Sequence, residues 1–251
     1  MRTEPTTALV TGSSGGIGLA LVEALLQNSA LTRIYAGCRQ PDAAPALVAL
    51  AAGDSRLTLL TLDVTDSTPL QGAVADIDTQ AGLDLVINTA GILHANNGMR
   101  PEKRLGDIEA HHLQTAFDVN AAGAMRLAQA CEPLLKHSSG ARFVSLSARV
   151  GSIGDNRMGG WYAYRASKAA LNMLIKTLAI EWARARPPII CAALHPGTVA
   201  TDLSAPFTKD RKASAVFTSA EAARYLLTVI AGLMPEHSGG FYAWDGQKIP
   251  W

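Results

Sequence analysis

Tyr164 and Lys168 stand four residues apart in WYAYRASKAALNMLIKTLAIEW, Trp161 to Trp182, a stretch with the pattern of a long helix. Residues at that spacing lie one above the other on one helix face. A phenol titrates near ~10 when unperturbed and trades protons poorly at neutral pH unless something favours its anion. An ammonium about 4 Å away, at an effective dielectric of ~20, contributes ~4 kcal/mol to that anion. The expectation is that Lys168 brings the Tyr164 hydroxyl toward neutrality, making the pair an acid–base device.

The helix itself must be held. Leu171, Ile175, Leu178 and Trp182 continue the stripe below Tyr164, while Ala169, Ala170, Met173, Leu174 and Ile180 leave the opposite side apolar as well. A helix apolar all round is buried on all sides. A sheet on one side, and another layer or a partner subunit on the other, is expected.

With 251 residues, 48% of them hydrophobic and 17% charged, the chain can bury a large core, and one domain spanning 1–251 is expected. The net charge of +1 and the absence of a long basic run argue against nucleic acid and anionic membranes as partners. Cys38, Cys131 and Cys191 are odd in number, far apart and without a CxxC pair, which points to reduced structural thiols in the cytoplasm and to no metal site. The start, MRTEPTTALVTG, has no charged-then-apolar signal region, and no apolar run approaches the ~20 residues of a membrane span.

Seven apolar runs read as strands: Thr7–Thr11, Arg33–Gly37, Leu57–Leu62, Asp84–Asn88, Arg142–Ser147, Ile189–Leu194 and Gly240–Trp244. Helical patterns alternate with them, which predicts an α/β doubly wound parallel sheet with helices on both faces. The first run leads into Gly12, Ser13, Ser14, Gly15, Gly16, Ile17 and Gly18 and then a helical pattern, the opening of a dinucleotide-binding unit. Gly12 allows a sharp turn, Gly16 a close approach of backbone to pyrophosphate, and Gly18 close packing of helix on strand.

The second strand ends beside the expected adenosine ribose with no acid at its tip, and with Arg39 following Cys38. A cation there favours a 2′-phosphate, hence NADP over NAD; the alternative is a solvated surface charge. Asp63, followed by Val64, stands either near the adenine amine or as a cap for the helix beginning near Ser67. Asn120 and Gly123 interrupt a long helical pattern running from Asp107, and an Asn inside a helix competes with backbone hydrogen bonds. His111 and His112 are expected to diverge around that helix and to be exposed. His195, before Pro196, reads as structural. The stretch from Asp202 to Thr218 lacks periodicity and is the candidate substrate lid, and Met158, Trp161, Phe207 and Phe217 suggest an apolar pocket.

In order, TGSSGGIG, NTAG, Asn120, YRASK and HPGTVATD resemble the short-chain dehydrogenase/reductase family over essentially the whole chain, and SARVGSIGDNRMGGWYAYRASKAALN with SGGFYAWDGQKIPW resembles its C-factor-like carbonyl reductases. The resemblance implies a Rossmann fold and an NADPH-dependent enzyme acting on a small-molecule ketone or aldehyde. Tyr164 would be the proton donor, Lys168 would lower its pKa and hold the nicotinamide ribose, and Asn120 would seat a water behind Lys168. Gly12, Ser14, Gly16, Ile17, Gly18, Arg39, Asp63 and Val64 would bind the dinucleotide. Asn88, Ala90 and Gly91 would support its adenosine side, and Pro196, Gly197, Val199 and Thr201 would sit against the carboxamide.

One position departs from the family pattern. Three residues before Gly151 the family places a serine that bonds the substrate oxygen, and this chain has Ala148. Ser147 is the preferred replacement if the strand end is locally rearranged, although in a regular strand it faces away from Ala148's side, and Ser152 is the alternative. The missing donor also motivates a competing reading, a dinucleotide-binding scaffold or signalling protein with little turnover. The apolar central helix and the small residues around Gly123 predict a homodimer or homotetramer.

Overall fold

The computed structural model describes residues 5–78, 80, 82–185, 187–208 and 216–251. Its strands β1 (Thr7–Thr11), β2 (Arg33–Cys38), β3 (Leu57–Thr61), β4 (Leu85–Asn88), β5 (Arg142–Leu146), β6 (Ile190–His195) and β7 (Gly240–Ala243) form one sheet in the order β3-β2-β1-β4-β5-β6-β7. Every ladder between them is parallel. β1, β4 and β5 are buried along their whole length, as their mainly apolar runs require of strands covered on both faces.

Helices α1 (Gly16–Leu26), α2 (Pro45–Gly53), α3 (Ser67–Ala75), α4 (Ala110–Phe117), α5 (Gly123–Leu135), α6 (Tyr162–Trp182), α7 (Ala205–Thr208) and α8 (Ser219–Gly232) complete the order. Two cores divide the sheet. Phe143, Val86 and Leu9 on one face meet Leu70 of α3, Leu127 of α5 and Leu171 of α6; Val10, Ile87 and Leu194 on the other meet α1, α2 and α8 through Leu21, Leu47 and Leu226. This is the doubly wound α/β sandwich expected of the sequence, with strand ends displaced by one residue.

The helix expected from Asp107 is broken. Between α4 and α5, Asp118–Ala122 forms one π-helical turn, the irregularity that accommodates Asn120 and a frequent mark of a functional position. α6 is buried on one side only: Leu171, Ile175 and Trp182 face the sheet, whereas Met173 is 66% and Ile180 54% exposed. The expectation of burial on every side is therefore not met within one chain. Gly123 likewise serves internal packing, since a Cβ there would stand 2.8 Å from Val64 Cγ2.

β1 and β4 lie side by side and parallel although far apart in sequence. Asn88 holds this junction: it accepts from Thr11 Oγ1 at 2.8 Å and donates to Ser145 Oγ at 3.0 Å, linking three strands. Strand order changes direction here, and that is where an open parallel sheet leaves a crevice at its carboxyl ends.

Candidate active site

A cavity of about 770 Å³ opens over this switch point, lined by Gly12 and Ser14 after β1, Arg39 after β2, Asp63 and Val64 after β3, and Ala90 and Gly91 after β4. Its glycine floor could not be built from other residues. Gly12 and Gly16 have φ of 73° and 55°, and a Cβ on Gly18 would fall 2.2 Å from the Gly12 carbonyl oxygen. That contact fastens α1 against the turn, and Ser14, two residues before the helix begins, lines the cavity, so the helix amides lie close to where phosphate would be held. Thr201 closes the turn from above, its Cγ2 lying 3.2 Å from a Cβ built on Gly16. The loop from Pro196 thus reaches the glycine turn, with Val199 bridged to Phe217 and Gly197 (φ 83°) lying against Phe217 and Trp244.

Arg39 is exposed at the cavity wall and enters no salt bridge among the described residues. Asp63 accepts from Thr65 N and Oγ1 at 2.8 and 2.7 Å, while Asp66 caps α3 through Thr68 N. The capping alternative for Asp63 is thereby removed. Asn88 does not line the cavity, being 1% exposed, and Ile17 packs toward the α1 core. A fold that reserves its glycines, an unpaired cation and a helix amino end for one crevice fits a phosphorylated dinucleotide.

Beyond Gly91 the expected acid–base residues converge. A Cβ on Gly91 would stand 3.3 Å from Asn120 Oδ1 and 3.5 Å from Lys168 Nζ. Asn120 is fixed by a two-way bond to the Ile92 backbone (2.8 and 2.9 Å) and by donation to Ser167 Oγ at 3.0 Å. Lys168, 3% exposed, donates to the Leu146 carbonyl at 2.8 Å and lies 5.8 Å from the Tyr164 ring centre.

The electrostatics correct the simplest expectation. Burial pushes Tyr164 up to about 12 and draws Lys168 down to about 8. Tyr164 keeps a partly exposed edge where water moderates the rise, but the direction is upward. Loss of solvent is the cause of both shifts. The phenol rests protonated, as a proton donor must.

The serine expectation does not hold. Ser147 is 4% exposed and donates to Asn172 Oδ1 at 2.7 Å, on the interior side of α6. Ser152 donates to the Pro250 carbonyl at 2.6 Å. Ala148, in extended backbone at the end of β5, leaves its place in the motif without a donor. His195 stays neutral, burial drawing it down to about 4 with the Arg149 charge acting the same way.

Aromatic residues divide differently than expected. Trp161 and Phe207 meet at 5.0 Å beside Tyr164, whereas Phe217 packs with Tyr225 and Trp244 behind Gly197, and Met158 is 91% exposed. Of the expected lid, 209–215 lies outside the described residues. His111 and His112 do not diverge: their ring centres are 4.0 Å apart, His112 is buried, and with Glu109 they bring donor atoms within 4.8 Å of one another. Adjacent side chains on this first helical turn fold toward the same flank, which helical spacing alone does not reveal.

Residues 6–212 match the model of the short chain dehydrogenase family. The chain belongs to the short-chain dehydrogenase/reductase family and is an NAD(P)-dependent oxidoreductase. Within it the chain is carbonyl-reductase-like. C-signal from Myxococcus xanthus is 36% identical over 170 residues, 67% of this chain and 93% of that protein. Short chain dehydrogenase gsfK from Penicillium aethiopicum is 35% identical over 262 residues, covering 98% and 100%. The crystal structure of NADPH-bound carbonyl reductase from chicken fatty liver superposes with a TM-score of 0.88 at 31% identity, covering 99% and 100%.

Proposed function

We propose that this enzyme, one domain over 1–251, uses NADPH to reduce a ketone or aldehyde to an alcohol. The observation that carries the reading is the meeting of Lys168 and Asn120 at Gly91, which lines a glycine-floored cavity, with the Tyr164 ring centre 5.8 Å from Lys168 Nζ. The dinucleotide is held by the glycine turn, Asp63, Val64, Ala90 and Gly91, and by the loop from Pro196 to Thr201, with Arg39 facing the 2′-phosphate. Bound NADPH supplies the hydride.

The protein's own part is protonic and positional. Tyr164, protonated at rest, donates to the carbonyl oxygen as negative charge develops there. Lys168, drawn down to about 8, carries charge at neutral pH and stabilises the phenolate left behind. Asn120 has spent its side-chain amide group on Ile92 and Ser167, so its role is to fix the wall beside Lys168 and to hold any water through the remaining lone pair of Oδ1. With Ala148 at the third position, proton donation by Tyr164 bears more of the oxyanion stabilisation.

A purified sample mixed with NADPH and a panel of carbonyl compounds should consume NADPH, and Tyr164→Phe should abolish that consumption. Equal rates for the two proteins would refute the assignment. The missing donor at Ala148 favours the competing scaffold reading, which predicts NADPH binding without turnover. A cytoplasmic setting and a homodimer or homotetramer complete the proposal, supported by three buried free cysteines and by the exposed Met173 and Ile180 of α6. Sedimentation at micromolar concentration showing monomer alone would overturn the assembly.

A further inference from the structure

Trp161 is the only non-glycine residue with positive φ among the described residues, at φ 54° and ψ 44°. A bulky aromatic residue is an outlier in that region and stays there only if its surroundings hold it. Gly159 and Gly160 precede it with φ of 64° each, so three consecutive left-handed residues turn the chain into α6.

The holding group is Glu102, from a loop 61 residues before Ala163 and only 4% exposed. Its carbonyl accepts the Trp161 N–H and its carboxylate accepts the Ala163 N–H at 3.2 Å. α6 has neither an acid in its first turn nor a side-chain cap of its own. One distant glutamate thus satisfies the helix amino end and locks the residue before it.

The strain has a visible product. The indole stands edge-on to Tyr164, ring centres 6.3 Å apart, and tilted against Phe207 at 5.0 Å. Phe207 in turn meets His94 at 5.9 Å, and His94 Nε2 lies 3.2 Å from the carbonyl of Asp202; His94 and Asp202 both line the cavity. Trp161, Phe207 and His94 are all partly exposed. They belong to none of the buried clusters of the two cores, and a strained residue that keeps part of its ring exposed presents that part to something else.

We infer that Trp161 is the specificity-determining wall of the substrate site, that Glu102 is the positioning residue that sets it, and that carbonyls carrying an aromatic ring are the favoured substrates. This rests on the reductase reading above. A flat ring packs offset or edge-on against Trp161 and Phe207 while its carbonyl reaches Tyr164, and a linear alkyl chain gains less from the same wall. The contact forms on binding and not in the chemical step, so its loss falls on KM.

The test measures kcat and KM at saturating NADPH for benzaldehyde and for hexanal. Trp161→Ala should raise KM for benzaldehyde about tenfold, leave KM for hexanal within about twofold, and keep kcat for both within about threefold. Phe207→Ala and Trp161→Phe should show smaller shifts in the same direction, and they carry the test if Trp161→Ala does not fold. Glu102→Ala removes the bond to Ala163 and keeps the backbone bond to Trp161, so it should raise KM for benzaldehyde in the same direction by a smaller factor, about threefold, and Glu102→Gln, whose amide oxygen can accept the same N–H, should restore wild-type values. NADPH affinity, read from fluorescence, should stay unchanged throughout. Equal KM shifts for both aldehydes, no preference of the wild type for benzaldehyde, or a Glu102→Gln variant as impaired as Glu102→Ala would overturn this inference alone. A wild type that reduces neither aldehyde nor any other carbonyl would overturn the reductase reading with it.

Discussion

Replacing Lys168 by methionine should make the protein more stable at neutral pH while destroying its activity. Burial draws this lysine from its ordinary value of 10.5 down to about 8, and among the described residues no carboxylate pairs with it. The unfolded chain then binds the proton more tightly than the folded one. The penalty on the folded state is full below about pH 8 and fades as pH rises toward 10.5; at pH 7 it is about 3 kcal/mol. Methionine removes the penalty but also the bond to the Leu146 carbonyl, worth about 1 kcal/mol. The net gain is about 2 kcal/mol at pH 7. At pH 10 about 1 kcal/mol of penalty remains, matching the lost bond, so the two proteins should converge. Urea unfolding of the cofactor-free proteins at both pH values checks this. A variant less stable than wild type at pH 7, or a stability difference that ignores pH, would refute the claim that the amine is held in place at a cost.

Three further outcomes follow from the site. Arg39→Asp should weaken NADPH at least tenfold more than NADH, read from KM for each, and equal losses would show that Arg39 does not meet the 2′-phosphate. Gly18→Ala should destabilise the fold by about 1–3 kcal/mol and weaken dinucleotide binding, because its methyl would lie 2.2 Å from backbone that must move; melting and a titration with NADPH would reveal it. Ala148→Ser should raise kcat by about a hundred- to a thousandfold if an oxyanion donor is lacking. An unchanged rate would mean that another group already serves.

The fold was legible because its signals are local and repeated. Each parallel strand is a short, mainly apolar run, and Gly12, Gly16 and Gly18 sit at positions where the observed φ values or contacts admit nothing larger. Tyr164 and Lys168 were legible from helical spacing, and Asn120 from its misfit within a helix, although the π turn that resolves the misfit was not. What stayed hidden depends on direction and distance. Strand alternation already counts against Ser147 in the sequence and does turn it away; the partner that takes its hydroxyl, Asn172, is what the sequence leaves out. The Tyr164–Lys168 pair was read as a Coulombic couple, whereas the depth of both groups in the fold, invisible to spacing, decides their proton affinities. Glu102 carries no motif at all; only the path of a loop brings it to the start of α6.

Asn88 and Thr11, which brace the crevice, are separated by 77 residues. A nascent chain that has emerged only through β3 possesses the glycine turn but not its opposing wall, and nothing in that fragment can yet grip a dinucleotide. Binding competence therefore arrives late in biogenesis, and the ligand, by mass action, rewards only molecules whose distant strands have already found each other.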